Sequence, residues 1–116
     1  MERIQRILTH TEFESSTFRT KQFNDFVKTF KIEFNKEMRS VGVTDVKYNV
    51  GHFEISGFFS KDGQTYYFSL PDVRGLNLYP QNIKLMYRTA KDRKDFTGGQ
   101  NQWVKIEYLM AKNMNL

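Results

Sequence analysis

An α+β domain is the fold this sequence predicts: one long amphipathic N-terminal helix packed on an antiparallel sheet of four or five strands. Three observations carry that expectation. Apolar residues recur at steps of three and four between positions 23 and 41, the spacing that gathers side chains into one helical stripe. From position 43 the period changes to two, as in strands with one buried face. No interval between those strands holds the helix that a parallel crossover usually needs, so an antiparallel meander follows.

The helical stripe consists of Phe23, Phe26, Val27, Phe30, Phe34, Met38 and Val41, with Lys21, Lys28, Lys31, Glu33, Lys36 and Glu37 mainly off it. Gly42 follows the last apolar position and can take the left-handed conformation that ends a helix. At the other end, Ser15, Ser16 and Thr17 offer hydroxyl caps for a helix starting near Phe18. Thr11 with Glu14 is a competing capping box. Residues 2–8 read as a separate short helix or strand.

Val46, Tyr48 and Val50 alternate with Lys47 and Asn49 as a first strand, and Phe53, Ile55, Gly57 and Phe59 share the phase of a second. Asp62-Gly63 is the strongest short-range hairpin signal, because both central positions of the tight turn need positive φ. Tyr66, Phe68 and Leu70 form the returning strand. Pro71 closes it, and residues 72–80 read as a crossing loop. Ile83, Leu85 and Tyr87 give a fourth strand with Lys84, Met86 and Arg88 on its other face. Residues 89–102 hold no periodic pattern and read as a long mobile loop. Val104, Ile106 and Tyr108 give a fifth strand, with Trp103, Lys105 and Glu107 opposite. The tail, residues 111–116, is expected to fray.

At 116 residues the chain, residues 1–116, has room for one compact domain. Aromatic residues make up 16 % of it, with eleven Phe and six Tyr, enough large rings to build a core in a short chain. The formal net charge is +5. Residues 1–58 hold nine Lys/Arg against eight Asp/Glu, and residues 59–116 hold nine against five, so the positive excess is C-terminal. With no cysteine, disulfides and thiolate zinc sites are excluded. No apolar run is long enough to span a bilayer, and the start, Met1-Glu2-Arg3-Ile4-Gln5-Arg6, lacks the apolar stretch of a secretory signal. A soluble protein of the cytoplasm is expected, with no membrane partner.

Catalytic constellations are sparse. His10 and His52 are the two histidines, and His52 reads as a turn-surface imidazole. No His pair has the spacing of a zinc site. Gly98-Gly99 lacks the Lys-Ser/Thr of a P-loop, no G-x-G-x-x-G occurs, and no serine stands in a nucleophile elbow. Asp92 and Asp95 can in principle bind Mg²⁺ beside a phosphate, as in a metal-dependent nuclease. They read more simply as charges that interrupt a basic run. No enzyme and no cofactor are expected.

The basic run is the candidate site. Lys84, Arg88, Lys91, Arg93 and Lys94 precede Thr97-Gly98-Gly99-Gln100-Asn101-Gln102-Trp103. Such a cluster attracts phosphates, and each neutralised phosphate releases a counterion, so affinity should fall steeply with salt. Gly98 and Gly99 let backbone amides approach an anion, and Thr97 adds a hydroxyl donor. Gln100, Asn101 and Gln102 offer groups for base edges or sugars. Trp103, Phe96 and Tyr67 can stack on bases of a single strand. The plainer alternative is an ordinary solvated loop. Adjacent rings in Phe58-Phe59 and Tyr66-Tyr67 point to opposite faces. On the phase above, Phe59, Tyr66 and Phe68 go under the helix, leaving Phe58 and Tyr67 outside. That outer patch suits a stacking platform, a protein interface or a homodimer, sheet against sheet.

The stretch Arg88-Thr89-Ala90-Lys91-Asp92, Lys94-Asp95-Phe96-Thr97-Gly98-Gly99 and Asn101-Gln102-Trp103, together with the hairpin of residues 53–70, resembles a segment of small uncharacterised proteins of Gram-positive phages and mobile elements. The resemblance carries no residue-by-residue role. It implies accessory DNA handling or evasion of host defence, including anti-CRISPR inhibition of a CRISPR–Cas effector by stoichiometric binding. Many anti-CRISPR proteins are acidic DNA mimics, and a basic chain argues against mimicry. The expected partner is thus nucleic acid or a host nucleoprotein effector, bound without catalysis.

Overall fold

The computed structural model describes residues 21–51, 54–70, 84–95, 97–105 and 111–116. Among these, one helix, α1 (Lys21–Arg39), precedes five strands: β1 (Lys47–Val50), β2 (Ile55–Lys61), β3 (Gln64–Leu70), β4 (Lys84–Ala90) and β5 (Gln102–Lys105). The strands form one sheet in the order β1-β2-β3-β4-β5, and every neighbouring pair is antiparallel. The expected α+β meander is therefore present. The caps suggested at residues 11–17, the segment 2–8, and Phe53, His52, Ile83, Ile106 and Tyr108 lie outside the described residues.

Phe23, Phe26, Val27, Phe30, Phe34 and Met38 of α1 are all buried, as their spacing requires. They share one core with Ile55, Phe59, Phe68, Leu70, Leu85, Tyr87 and Val104 of the sheet. Rings hold the two layers together: Phe34 meets Phe68 at 4.9 Å and Phe59 at 6.4 Å between centroids. Each fully buried phenylalanine contributes roughly 1.5–3 kcal/mol of transfer free energy. A polar link crosses the same interface, where the Tyr48 hydroxyl donates to Asn35 Oδ1 at 2.6 Å. Burial pushes this phenol above the usual tyrosine range, which keeps it a donor.

Turn chemistry sets the ends of the elements. Gly42 has φ +88°, while the Val43 amide donates to Met38 O and the Gly42 amide to Arg39 O. These two bonds close the helix as a Schellman motif, with Val43 and Met38 in apolar contact through the core. Asp62 (φ 52°) and Gly63 (φ 81°) both have positive φ, and Lys61 pairs with Gln64 across them. The Asp-Gly hairpin is thus placed as expected.

The C-terminal segment departs from expectation. Residues 111–116 do not hang free: a 3₁₀ turn (Ala111–Asn113) buries Ala111 and Met114 against the core. The Ala111 amide donates to Glu37 Oε1 at 3.0 Å, and the Asn115 amide to the Tyr87 hydroxyl at 2.7 Å. Ala111 and Met114 are three residues apart, so one turn presents both to the same surface, and these bonds fix it there.

Candidate functional site

The face of the sheet turned away from α1 is built by register. Lys47 pairs with Phe58, Phe58 with Tyr67 and Tyr67 with Arg88. A second row runs Asn49, Ser56, Ser69, Met86 and Trp103. Beyond it, Lys84 stands directly opposite Lys105. Partners in register share a face, so Lys84, Met86, Arg88, Trp103 and Lys105 all project from the outer side of β4 and β5. The strands place Lys47, Lys84, Arg88 and Lys105 on this face and no carboxylate among their described residues. Asp45 and Glu54 lie off the strands, and Asp45 is 3.6 Å from Lys47.

Among the described residues Trp103 is the most accessible ring on this face, 55 % exposed. Its register partner Met86 is buried beside it. Lys84 and Lys105 are exposed and have no ion pair among the described residues. Like charges directly opposite on one sheet face repel, which costs stability until something negative sits between them.

Tyr67 is placed on the predicted face but is not open as a stacking surface. Its ring lies 5.2 Å from Phe58, and the Arg88 guanidinium sits over it at 4.6 Å. Arg88 Nη1 also donates to Asn101 Oδ1 at 3.2 Å. Arg88 and Tyr67 thus hold each other by a cation–π contact, and Asn101 is engaged with them. Phe58, expected to be uncovered, is only 7 % exposed. Gln102 pairs with Tyr87, which puts it on the helix side, away from Trp103.

Residues 91–95 and 97–101 hold no regular element, as expected of an unpatterned loop. The expected bounds of 89–102 shorten because Thr89, Ala90 and Gln102 belong to strands. Two aspartates organise the connection. Asp92 Oδ1 accepts from the Lys94 amide at 2.8 Å. Asp95 Oδ2 accepts from the Lys91 amide at 3.0 Å, and its Oδ1 from the Thr97 amide at 3.0 Å and Thr97 Oγ1 at 3.3 Å. These amides, led by Lys91 and Thr97 and joined by Gly98, hold the Asp95 carboxyl below the usual aspartate range. The donors expected to receive a phosphate already have an anion, and it is this side chain. Thr97 and Gly98 thus support the loop through Asp95.

The glycines have the same internal explanation. A Cβ on Gly98 would collide with Asp95 Oδ2, and one on Gly99 would meet Thr89 O and Oγ1 at 2.5 Å. Gly99 also has φ +37°. The close approach these residues allow is between the loop and β4. Between this loop and the β2–β3 turn lies a groove of about 390 Å³, walled in part by Gly63, Gln64, Thr89, Lys91 and Asp95.

Arg93 is engaged within the molecule. Its Nη2 donates to Asp45 O at 3.2 Å and lies 3.4 Å from Asp45 Oδ2, and its Nη1 is buried. This contact ties the β4–β5 loop to the segment before β1, spanning β2 and β3. Lys91 and Lys94 remain exposed, with no ion pair among the described residues, and Gln100 is exposed. Phe96 lies outside the described residues. Lys105 and Lys47 were not among the expected site residues. The alternation in the fifth strand already put Lys105 on the side of Trp103, but only the β4–β5 register brings it opposite Lys84.

Among the described residues, no three His, Cys, Asp or Glu side chains gather as a metal site, and no helix is long and apolar enough to cross a membrane. No protein-family model, curated protein or solved structure matches the chain. The resemblance to phage and mobile-element proteins thus adds no residue assignment, and the site rests on its own geometry.

Proposed function

We propose that the protein is a non-catalytic nucleic-acid-binding module that uses the outer face of β4 and β5. The observation that carries this reading is the Lys84–Lys105 pair beside the exposed Trp103, on a face whose described strand residues include no carboxylate. Phosphates relieve the repulsion of such a pair, and a neighbouring indole adds stacking area. Arg88 supports the platform through Tyr67. Lys91 and Lys94 prolong the positive field past the end of β4. The amphipathic N-terminal helix serves as the rigid backing of the platform. Nothing in this reading depends on a phage or mobile-element origin.

Fluorescence anisotropy with labelled single- and double-stranded oligonucleotides at two salt concentrations tests it. The expected result is binding at low salt that weakens steeply as salt rises. A Lys84→Glu/Lys105→Glu variant should lose at least tenfold in affinity, two charge reversals at a phosphate contact being large on that scale. Lys28 and Lys36, exposed on α1, supply the control: reversing them removes the same charge elsewhere and should have a much smaller effect. Absence of oligonucleotide binding at low salt, with co-purification of a host effector, favours an anti-CRISPR-type inhibitor that docks the same face on acidic protein. Cleavage of the oligonucleotide abolished by a chelator would instead require an enzyme.

A further inference from the structure

Resting on that reading, we infer that the ligand is single-stranded nucleic acid, with one unpaired base on the Trp103 indole and an adjoining phosphate between Lys84 and Lys105. Side chains stand roughly perpendicular to a sheet, so an indole 55 % exposed on β5 presents its face above the strand. Lys105 follows it by two residues on the same side, about 7 Å along the strand. Lys84 faces Lys105 across the pair. The ring and the cationic pair are thus one short step apart on one surface.

Duplex DNA fits this arrangement poorly. Its bases are stacked on each other, and its major groove admits a helix or a two-stranded ribbon, whereas here the ring lies on the face of a five-stranded sheet. An indole reaches the face of a base only where that base is unpaired. The surroundings also set the selectivity. Met86 and Ser69 are the row neighbours of Trp103, an apolar side chain and a small hydroxyl. The nearby Arg88 guanidinium and Asn101 carboxamide are engaged with each other rather than turned to a base edge. Binding follows stacking strength, with little dependence on base sequence.

The chain has one tryptophan, so its intrinsic emission reports this site directly. Titrating the protein with 12-residue oligo-dT, oligo-rU and a duplex of the same length, read by both Trp103 emission and anisotropy, tests the inference. Saturable quenching by the single strands is expected, with at least tenfold weaker response to duplex. The two homopolymers distinguish DNA from RNA as the source of the strand. Trp103→Ala should lower single-strand affinity about tenfold or more, the range of one lost base stack. Lys84→Ala/Lys105→Ala should reduce the salt slope by about 0.7, one phosphate contact on a single strand. Because Trp103 and both lysines are exposed, these variants should stay folded, and the double lysine variant should melt at or above the parent because the repulsion of the pair is removed. Anisotropy showing tight single-strand binding without quenching, equal quenching by duplex, or unchanged affinity in Trp103→Ala would overturn the single-strand assignment while leaving nucleic-acid binding in place. Failure of every oligonucleotide to bind at low salt would overturn the proposed function itself.

Discussion

The two faces of the sheet start from the same paired aromatics and end differently. On the inner face Phe59, Tyr66 and Phe68 join the helix core, where Phe59 stacks on Tyr66 at 5.2 Å and Phe68 meets Phe34. On the outer face Phe58 and Tyr67 lie at the same 5.2 Å centroid distance, but an arginine lies over Tyr67 and Lys47 stands opposite Phe58. Alternation decides which ring goes to which face. It does not decide which ring stays open. Among the described residues of the outer side the most accessible ring is Trp103, on a short edge strand, while the central ring Phe58 is buried.

The largest effect expected from this contrast is on stability. Phe68→Ala should cost about 3–5 kcal/mol, the transfer and cavity terms of a fully buried ring. Tyr67→Ala, half-buried on the outer face, should cost about 1–2 kcal/mol, for an aromatic pair and a cation–π contact. Urea denaturation of the two variants compares them, and equal losses would break the distinction between the faces.

A smaller effect is expected at the loop that bounds the outer face. Asp45→Ala removes the carboxylate held by Arg93 and lying 3.6 Å from Lys47. Single-strand affinity should then rise by about two- to fivefold at low salt, the scale of an exposed ion pair, with a steeper salt dependence. Unchanged affinity in an anisotropy titration would show that Arg93 and Lys47 lie beyond the ligand's reach.

The smallest effect is local and depends on pH. The folded-state carboxyl of Asp95 titrates below the ordinary aspartate value because amides of Lys91 and Thr97 hold its charged form. Its stabilisation of the loop is fully present above the unfolded aspartate pKa and is lost as pH falls through the lowered folded value. Amide NMR shifts of Lys91 and Thr97 should move in that acidic window, and Asp95→Asn should flatten them. Trp103 emission should stay constant through it. A Trp103 response with the same midpoint would join the loop and the platform into one unit.

The legible parts of the chain are those fixed by spacing along it. The stripe from Phe23 to Met38, the Asp62-Gly63 turn and the alternation in each strand depend on neighbours within four residues, and such patterns survive in one dimension. The site was legible in part. The two-residue period puts Lys84 with Arg88 on one side of the fourth strand and Tyr67 outside the helix, and the register adds Trp103 to that face. The roles of Thr97, Gly98, Gly99 and Arg93 were not legible. A glycine pair that admits an outside anion reads the same as one that admits the chain's own Asp95 and Thr89. Asp95-x-Thr97 does carry the Asx-turn spacing, a signal that favours internal capping.

By itself, then, the sequence settled the helix stripe, the meander and the alternation of side chains along each strand, since local sterics and periodicity act between near neighbours. Only the tertiary structure decided that Arg93 is tied to Asp45, 48 residues away, that Tyr67 lies beneath Arg88, and that Lys84 and Lys105 stand opposite each other with Trp103 open beside them. Those outcomes depend on which distant groups meet once strands are in register. Charge and exposure are properties of such meetings, and no spacing along one chain contains them.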